Sequence, residues 1–186
     1  MKTYTLAHAD CPRRLQPTLH ATRVAPESRY SGPIVTTIAI ESPRQPEIES
    51  MLREGAEFAL ALYPPEGCFL LDLDELVSPS IDVFVARDPD GEAIGMAALV
   101  DNGDTTGELK RMFVRDEARG KGVAIALLDA LEAAARERDL LTLRLETGVH
   151  HTAAMALYAR QGYARIDAFG PYVDSPYSVC MEKSLS

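Results

Sequence analysis

From residue 34 onward, apolar and polar positions follow two distinct periods. Residues 34–40 are rich in β-branched side chains (Ile34, Val35, Thr36, Thr37, Ile38, Ile40), the composition of a strand. Ile48, Met51, Leu52, Ala56, Ala59 and Leu60 then recur at helical spacing, which predicts an amphipathic helix over 47–62, stopped by Pro64 and Pro65. A shorter helical piece is expected over 72–77. Strands follow at 81–86 and 93–100, joined into a hairpin by Asp88, Pro89, Asp90 and Gly91. Asn102, Gly103 and Asp104 supply another turn, and 107–114 reads as a third antiparallel strand.

The period changes after Arg119. Val123, Leu127, Leu131 and Ala134 mark one face of a helix, with Asp129, Glu132 and Arg136 expected to face away. In 141–145, Leu141, Leu143 and Leu145 alternate with Thr142 and Arg144 as a strand; 152–161 is a short helix stopped by Gly162. Closing strands are expected at 163–166 and 177–182. The element order implies an α/β (α+β) fold: a mixed, mostly antiparallel sheet with helices on both faces and one parallel pair, where a helical crossover joins 107–114 to 141–145. Residues 1–32 carry Pro12, Pro17 and Pro26 with little periodicity and read as an N-terminal arm, leaving 33–186 as one domain.

Composition narrows the partners. Among 186 residues, a formal charge of −9 opposes binding to nucleic-acid phosphates and mildly favours cationic acceptors such as amines. No run approaches the roughly 18 apolar residues that a membrane helix needs. The first 17 residues contain no apolar block of a secretory signal. Cys11, Cys68 and Cys180 are widely separated, a pattern of neither a disulfide framework nor a zinc site, so a cytoplasmic home is expected. Metal binding by His150 and His151 is disfavoured because neighbouring side chains diverge.

The most informative segment is Arg119, Gly120, Lys121, Gly122, Val123, Ala124. A helix N-terminus leaves amides unpaired and carries about half a positive elementary charge, which suits a pyrophosphate. Gly120 and Gly122 remove side chains that would hold phosphate away, and Arg119 and Lys121 add positive charge. Two glycines before a helix also make an ordinary tight turn. The spacing is neither that of a nucleoside-triphosphate loop nor that of a dinucleotide fingerprint.

Arg119, Gly122 and Ala124 fit the pattern Gln or Arg, two residues, Gly, one residue, Gly or Ala, through which the chain resembles the GCN5-related N-acetyltransferase (GNAT) superfamily. The resemblance runs from about residue 34 to 183. It includes the strand Glu108, Leu109, Lys110, Arg111, Met112, Phe113, Val114 and, downstream, Ala154, Leu157, Tyr158, Gly162 and Tyr163. It implies acetyl-CoA as cosubstrate, with the loop gripping its diphosphate and backbone groups of Met112, Phe113 and Val114 bonding its pantetheine like an added strand. It also implies dimerisation, common among such proteins.

Acetyl transfer to an amine needs a neutral nucleophile, a stabilised oxyanion and a protonated thiolate. The spacing of Glu108 ahead of the loop resembles that of the glutamate base in the histone-acetylating branch; an ordinary solvated strand carboxylate is the alternative. Glu146 is the rival base, or recognises a cationic substrate, or bonds backbone at a strand end. Tyr158 matches the family's general acid, against a tyrosine that only packs. Where the family carries Asn, this chain has His151, a weak cofactor contact. Tyr172 lies in the aromatic loop 169–176, which either lines an acceptor pocket or merely connects strands. Cys180 reads as a small buried hydrophobe.

These residues imply an N-acetyltransferase acting on a primary amine of a small molecule or amino acid. The alternatives are a protein lysine or N-terminal acetyltransferase and a non-catalytic acetyl-CoA-binding module.

Overall fold

Side chains alternating along the central strands feed two separate apolar layers. In the computed structural model, which describes residues 36–185, Val83, Val85, Met96 and Ala98 point to one side, against Ile48, Met51 and Leu52 of helix α1 (Pro46–Leu60). Phe84, Ala86, Ala97 and Leu99 point to the other, against helix α2 (Val123–Glu137). The strands are β1 (Thr37–Ile40), β2 (Ile81–Arg87), β3 (Ala93–Asp101), β4 (Thr106–Val114), β5 (Thr142–Gly148), β6 (Ala164–Ile166) and β7 (Ser178–Ser184). They form one sheet in the order β1-β2-β3-β4-β5-β7-β6, antiparallel at every neighbour except the parallel pair β4–β5. Helix α3 (Thr152–Arg160) follows β5 and sends Tyr158 into the α2-side layer. The expected architecture is the one observed.

Local chemistry explains the boundaries. Helix α1 starts with Pro46 in its first turn, with Glu47 and Glu49 near the positive end of its dipole. Leu127, Leu128 and Leu131 of α2 are fully buried, each worth roughly 1.5–3 kcal/mol of apolar transfer. Over 72–77 the chain makes only a short 3-10 turn, Glu75–Val77. Leu141 lies outside β5 and is 54% exposed.

Glu132 corrects the sequence reading. It lies on the sheet-facing side of α2, buried, and both its oxygens accept 2.7 Å hydrogen bonds from Nζ of Lys183 on β7. The cation from β7 offsets the cost of burying the charge, so an acid sits inside an apolar stripe. Residues 1–35, which include the arm expected at 1–32, lie outside the described residues.

Candidate active site

The parallel ladder between β4 and β5 is short, running only from Thr106 opposite Thr142 to Leu109 opposite Leu145. Beyond it β5 stays with β7 as far as Gly148, while β4 stays with β3, so the two strands part. A bulge in β4 marks the divergence. Met96 faces Phe113 and Ala98 faces Lys110, so Arg111 and Met112 share the space opposite Ala97. Arg111 adopts φ 55°, a left-handed conformation that costs a non-glycine residue about 1–2 kcal/mol. Its Nη2 donates a 2.7 Å hydrogen bond to the Leu52 carbonyl of α1, and burial lowers the guanidinium pKa. Residues 110–114, including Met112, Phe113 and Val114, thus have no ladder partner from β5 and leave a wedge in the sheet.

The loop 119–122 closes one end of that wedge. Gly120 and Gly122 take φ 73° and 92°, and a Cβ at either would meet open space. The backbone N–H groups of 120–124 have no acceptor among the described residues. Unpaired amides at the start of α2, with open space beside both glycines, are what a diphosphate requires. Buried Val123 anchors the turn, and Ala124 keeps the second helical position small. Arg119 folds back: its Nε donates 3.1 Å to the Val114 carbonyl, and its guanidinium pairs with Asp116 at 2.7 Å. It therefore stiffens the loop. Lys121 has no ion pair or hydrogen bond among the described residues and is the free cation of the segment.

A polar cluster occupies the other end of the wedge, on the α1 side of the sheet. The Tyr172 hydroxyl donates a 2.5 Å hydrogen bond to Glu108 Oε1. Lys110 Nζ donates to that same hydroxyl at 2.5 Å and to the Phe69 carbonyl at 3.0 Å, and lies 3.6 Å from Glu108. Tyr172 is fully buried, with Phe69 and Phe169 packed edge-on at ring separations of 5.0 and 5.1 Å. Glu146, on β5, has its carboxyl pushed above the ordinary 4.5 by burial; Glu108 adds to the rise, while Lys110 and a hydrogen bond with Ser178 oppose it. An open cavity of about 690 Å³ lies alongside, lined by Arg144, Arg165, Phe169 and Glu182, with Arg144 and Glu182 paired at 2.7 Å.

Tyr158 is buried, its hydroxyl free of hydrogen bonds among the described residues. Burial, then the charge of Glu146, raises its pKa, so it keeps its proton at physiological pH. His151 precedes α3 and stacks on Phe58 at 5.3 Å, with Tyr63 edge-on at 5.4 Å. Its Nε2 is buried without a partner among the described residues, and burial, with His150 contributing, lowers its pKa toward the neutral ring. Arg119 lies over the same Phe58 ring at 5.7 Å, so one aromatic links the loop to the start of α3.

The fold thus gathers the anticipated residues around one wedge: the loop at one end, Glu108, Glu146 and Tyr172 at the other, and Tyr158 within reach of the charge of Glu146. Lys110, Phe58, Tyr63 and Phe69 escape a reading of local motifs. Only Lys110 leaves a trace, standing two residues from Glu108 and so on the same strand face. Among the described residues no cluster of His, Cys, Asp and Glu could hold a metal, and no helix is long and apolar enough to cross a membrane.

Comparison with known proteins agrees with this geometry. Residues 37–163 match the Acetyltransferase (GNAT) family. The chain is 43% identical over 150 residues to an IAA acetyltransferase from Azospirillum brasilense, covering 80% of this chain and 97% of that protein. A Klebsiella pneumoniae structure described as a candidate acyl-CoA N-acyltransferase is 39% identical, with TM-score 0.73 over 82% of this chain and 99% of the other. The PaiA N-acetyltransferase of Thermoplasma acidophilum, solved with coenzyme A, shares the fold at TM-score 0.63 and 18% identity, over 81% of this chain and 99% of that one. With its splayed strands and amide-lined helix entry, the chain belongs to the GNAT family of acetyl-CoA-dependent N-acetyltransferases.

Proposed function

We propose that the enzyme acetylates the primary amine of a small molecule, by direct attack on acetyl-CoA in a ternary complex. The cosubstrate supplies the acetyl thioester. Amides of 120–124, with Lys121, bind its diphosphate; the free edge of Met112, Phe113 and Val114 bonds its pantetheine; His151 borders the same groove. A carboxylate first takes one proton from the ammonium, and the neutral amine then bonds to the acetyl carbon; as the carbon–sulfur bond breaks, Tyr158 protonates the departing thiolate, and the second proton shed by the nitrogen restores the phenol, leaving the amide and the free thiol of coenzyme A.

Glu146 is the carboxylate best suited to take that proton. Its raised pKa favours accepting it, whereas one oxygen of Glu108 already accepts from Tyr172. Burial does most to keep Glu146 basic; Glu108 serves this chemistry by adding its charge to that effect and by holding Tyr172. The observation that carries the small-molecule reading is that Lys110 joins the Phe69 segment to the Tyr172 segment at the end of the wedge where Glu108 lies. A protein chain would need an open groove there.

The test is titration calorimetry with acetyl-CoA, followed by thiol release over a panel of amines and peptides. Saturable binding with turnover on free amines is expected. Turnover on peptides alone would assign the protein-modifying alternative, and binding without turnover on any acceptor would assign a sensor.

A further inference from the structure

We propose that Lys110 is a positioning residue that locks the two acceptor-side segments, 61–74 and 167–177, into a single unit. The inference rests on the small-amine reading above. Lys110 stands on β4, its side chain only 11% exposed. Its ammonium bonds the Phe69 carbonyl in the first segment and the Tyr172 hydroxyl in the second, and no other side chain hydrogen-bonds both among the described residues. Three donors fixed by a strand backbone thus set the spacing of two irregular segments that have no ladder to align them. Phe69 and Phe169 both pack edge-on against Tyr172, so displacing its hydroxyl disturbs both. Glu108 offsets the lysine charge at 3.6 Å, which makes the buried ammonium tolerable.

Each segment has a thiol close by that reports on its closure. Cys68 adjoins Phe69, and buried Cys180 on β7 accepts a hydrogen bond from the Phe169 backbone N–H. Burial raises the pKa of both thiols, so in the closed state both react slowly with a disulfide reagent. If the lysine is the lock, its loss loosens both segments at once.

The experiment compares Lys110→Met, which keeps the stem but removes the donors, with Lys110→Arg, which retains donors, and with Tyr172→Phe, which deletes only the hydroxyl. Labelling by 5,5′-dithiobis(2-nitrobenzoate) is followed at Cys68 and Cys180 by peptide mass spectrometry, alongside KM, kcat and coenzyme A affinity with 2-phenylethylamine as probe amine. Lys110→Met is expected to raise labelling at both thiols and the amine KM by about tenfold or more, the scale of a lost hydrogen bond to a charged group. Coenzyme A affinity should change by no more than about twofold, and Lys110→Arg, which keeps a cation beside Glu146, should recover most of the loss. Tyr172→Phe should free Cys180 more than Cys68, which keeps the proposal testable should Lys110→Met fail to fold. Unchanged labelling at either thiol in soluble Lys110→Met, or equal losses in kcat and coenzyme A affinity, overturns it. If labelling responds as expected while wild type turns over no free amine, the lock stands and the acceptor reading alone falls.

Discussion

The Tyr172 hydroxyl reaches across 64 residues of chain to hydrogen-bond Glu108. That contact unites the loop before β7 with the strand before the amide-lined turn, and it divides the labour of two carboxylates. Tyr172 engages Glu108; Glu146, one strand away, is half-buried and less readily ionised. Two acids with different environments on one sheet face are the usual means of separating electrostatic from proton-transfer work.

Glu146 makes the pH dependence of stability testable. Its carboxyl titrates above the ordinary 4.5, chiefly through burial, so between that pH and its raised value this group holds more proton in the folded state than in the unfolded one. Its contribution to stability therefore falls as pH rises. Glu146→Gln should melt higher than wild type at pH 8 and lose that advantage near pH 4, read by calorimetry. A difference that does not vary with pH would refute the raised carboxyl. The same variant should lose kcat/KM, and wild-type kcat/KM should decline on the acid side as Glu146 takes up its proton.

Tyr158→Phe separates chemistry from packing. The ring remains to fill its buried place beside Tyr163, at 5.8 Å, while the donor disappears. Turnover should fall about 100-fold or more, the range of a lost general acid, with coenzyme A affinity and melting temperature nearly unchanged. Wild-type turnover in the variant would remove the assignment.

At Gly122 two substitutions tell backbone strain from ligand exclusion. Gly122→Ala places a Cβ in open space but imposes φ 92° on an L residue, costing about 1 kcal/mol of stability. Gly122→Glu adds bulk and negative charge before the amides and should weaken coenzyme A binding about 100-fold or more, equivalent to two lost charge-assisted hydrogen bonds. Calorimetric titration of both variants checks the pair. Equal affinity for coenzyme A in Gly122→Glu and wild type would show that the diphosphate docks elsewhere.

Glu132→Gln tests the buried pair on the opposite side of the sheet. It leaves Lys183 near a neutral amide and breaks a pair whose acid is only 4% exposed. Loss of one partner of a buried pair costs about 3–5 kcal/mol, discounted here because Lys183 is partly exposed, so a drop in melting temperature of several degrees is expected without loss of coenzyme A binding.

Local periodicity determined the strands, the helices and their order, because alternation and helical spacing are written into adjacent residues. The same holds for the amide-lined turn: Gly120, Gly122 and Ala124 are neighbours whose backbone geometry needs no distant partner. Tertiary structure alone decided that Glu132 is buried, since its environment depends on Lys183, 51 residues away, which meets α2 from β7. It also decided that Tyr172 engages Glu108 and that Lys110 joins two segments, because hydrogen bonds between residues about 40 to 60 positions apart leave no period to read in the chain.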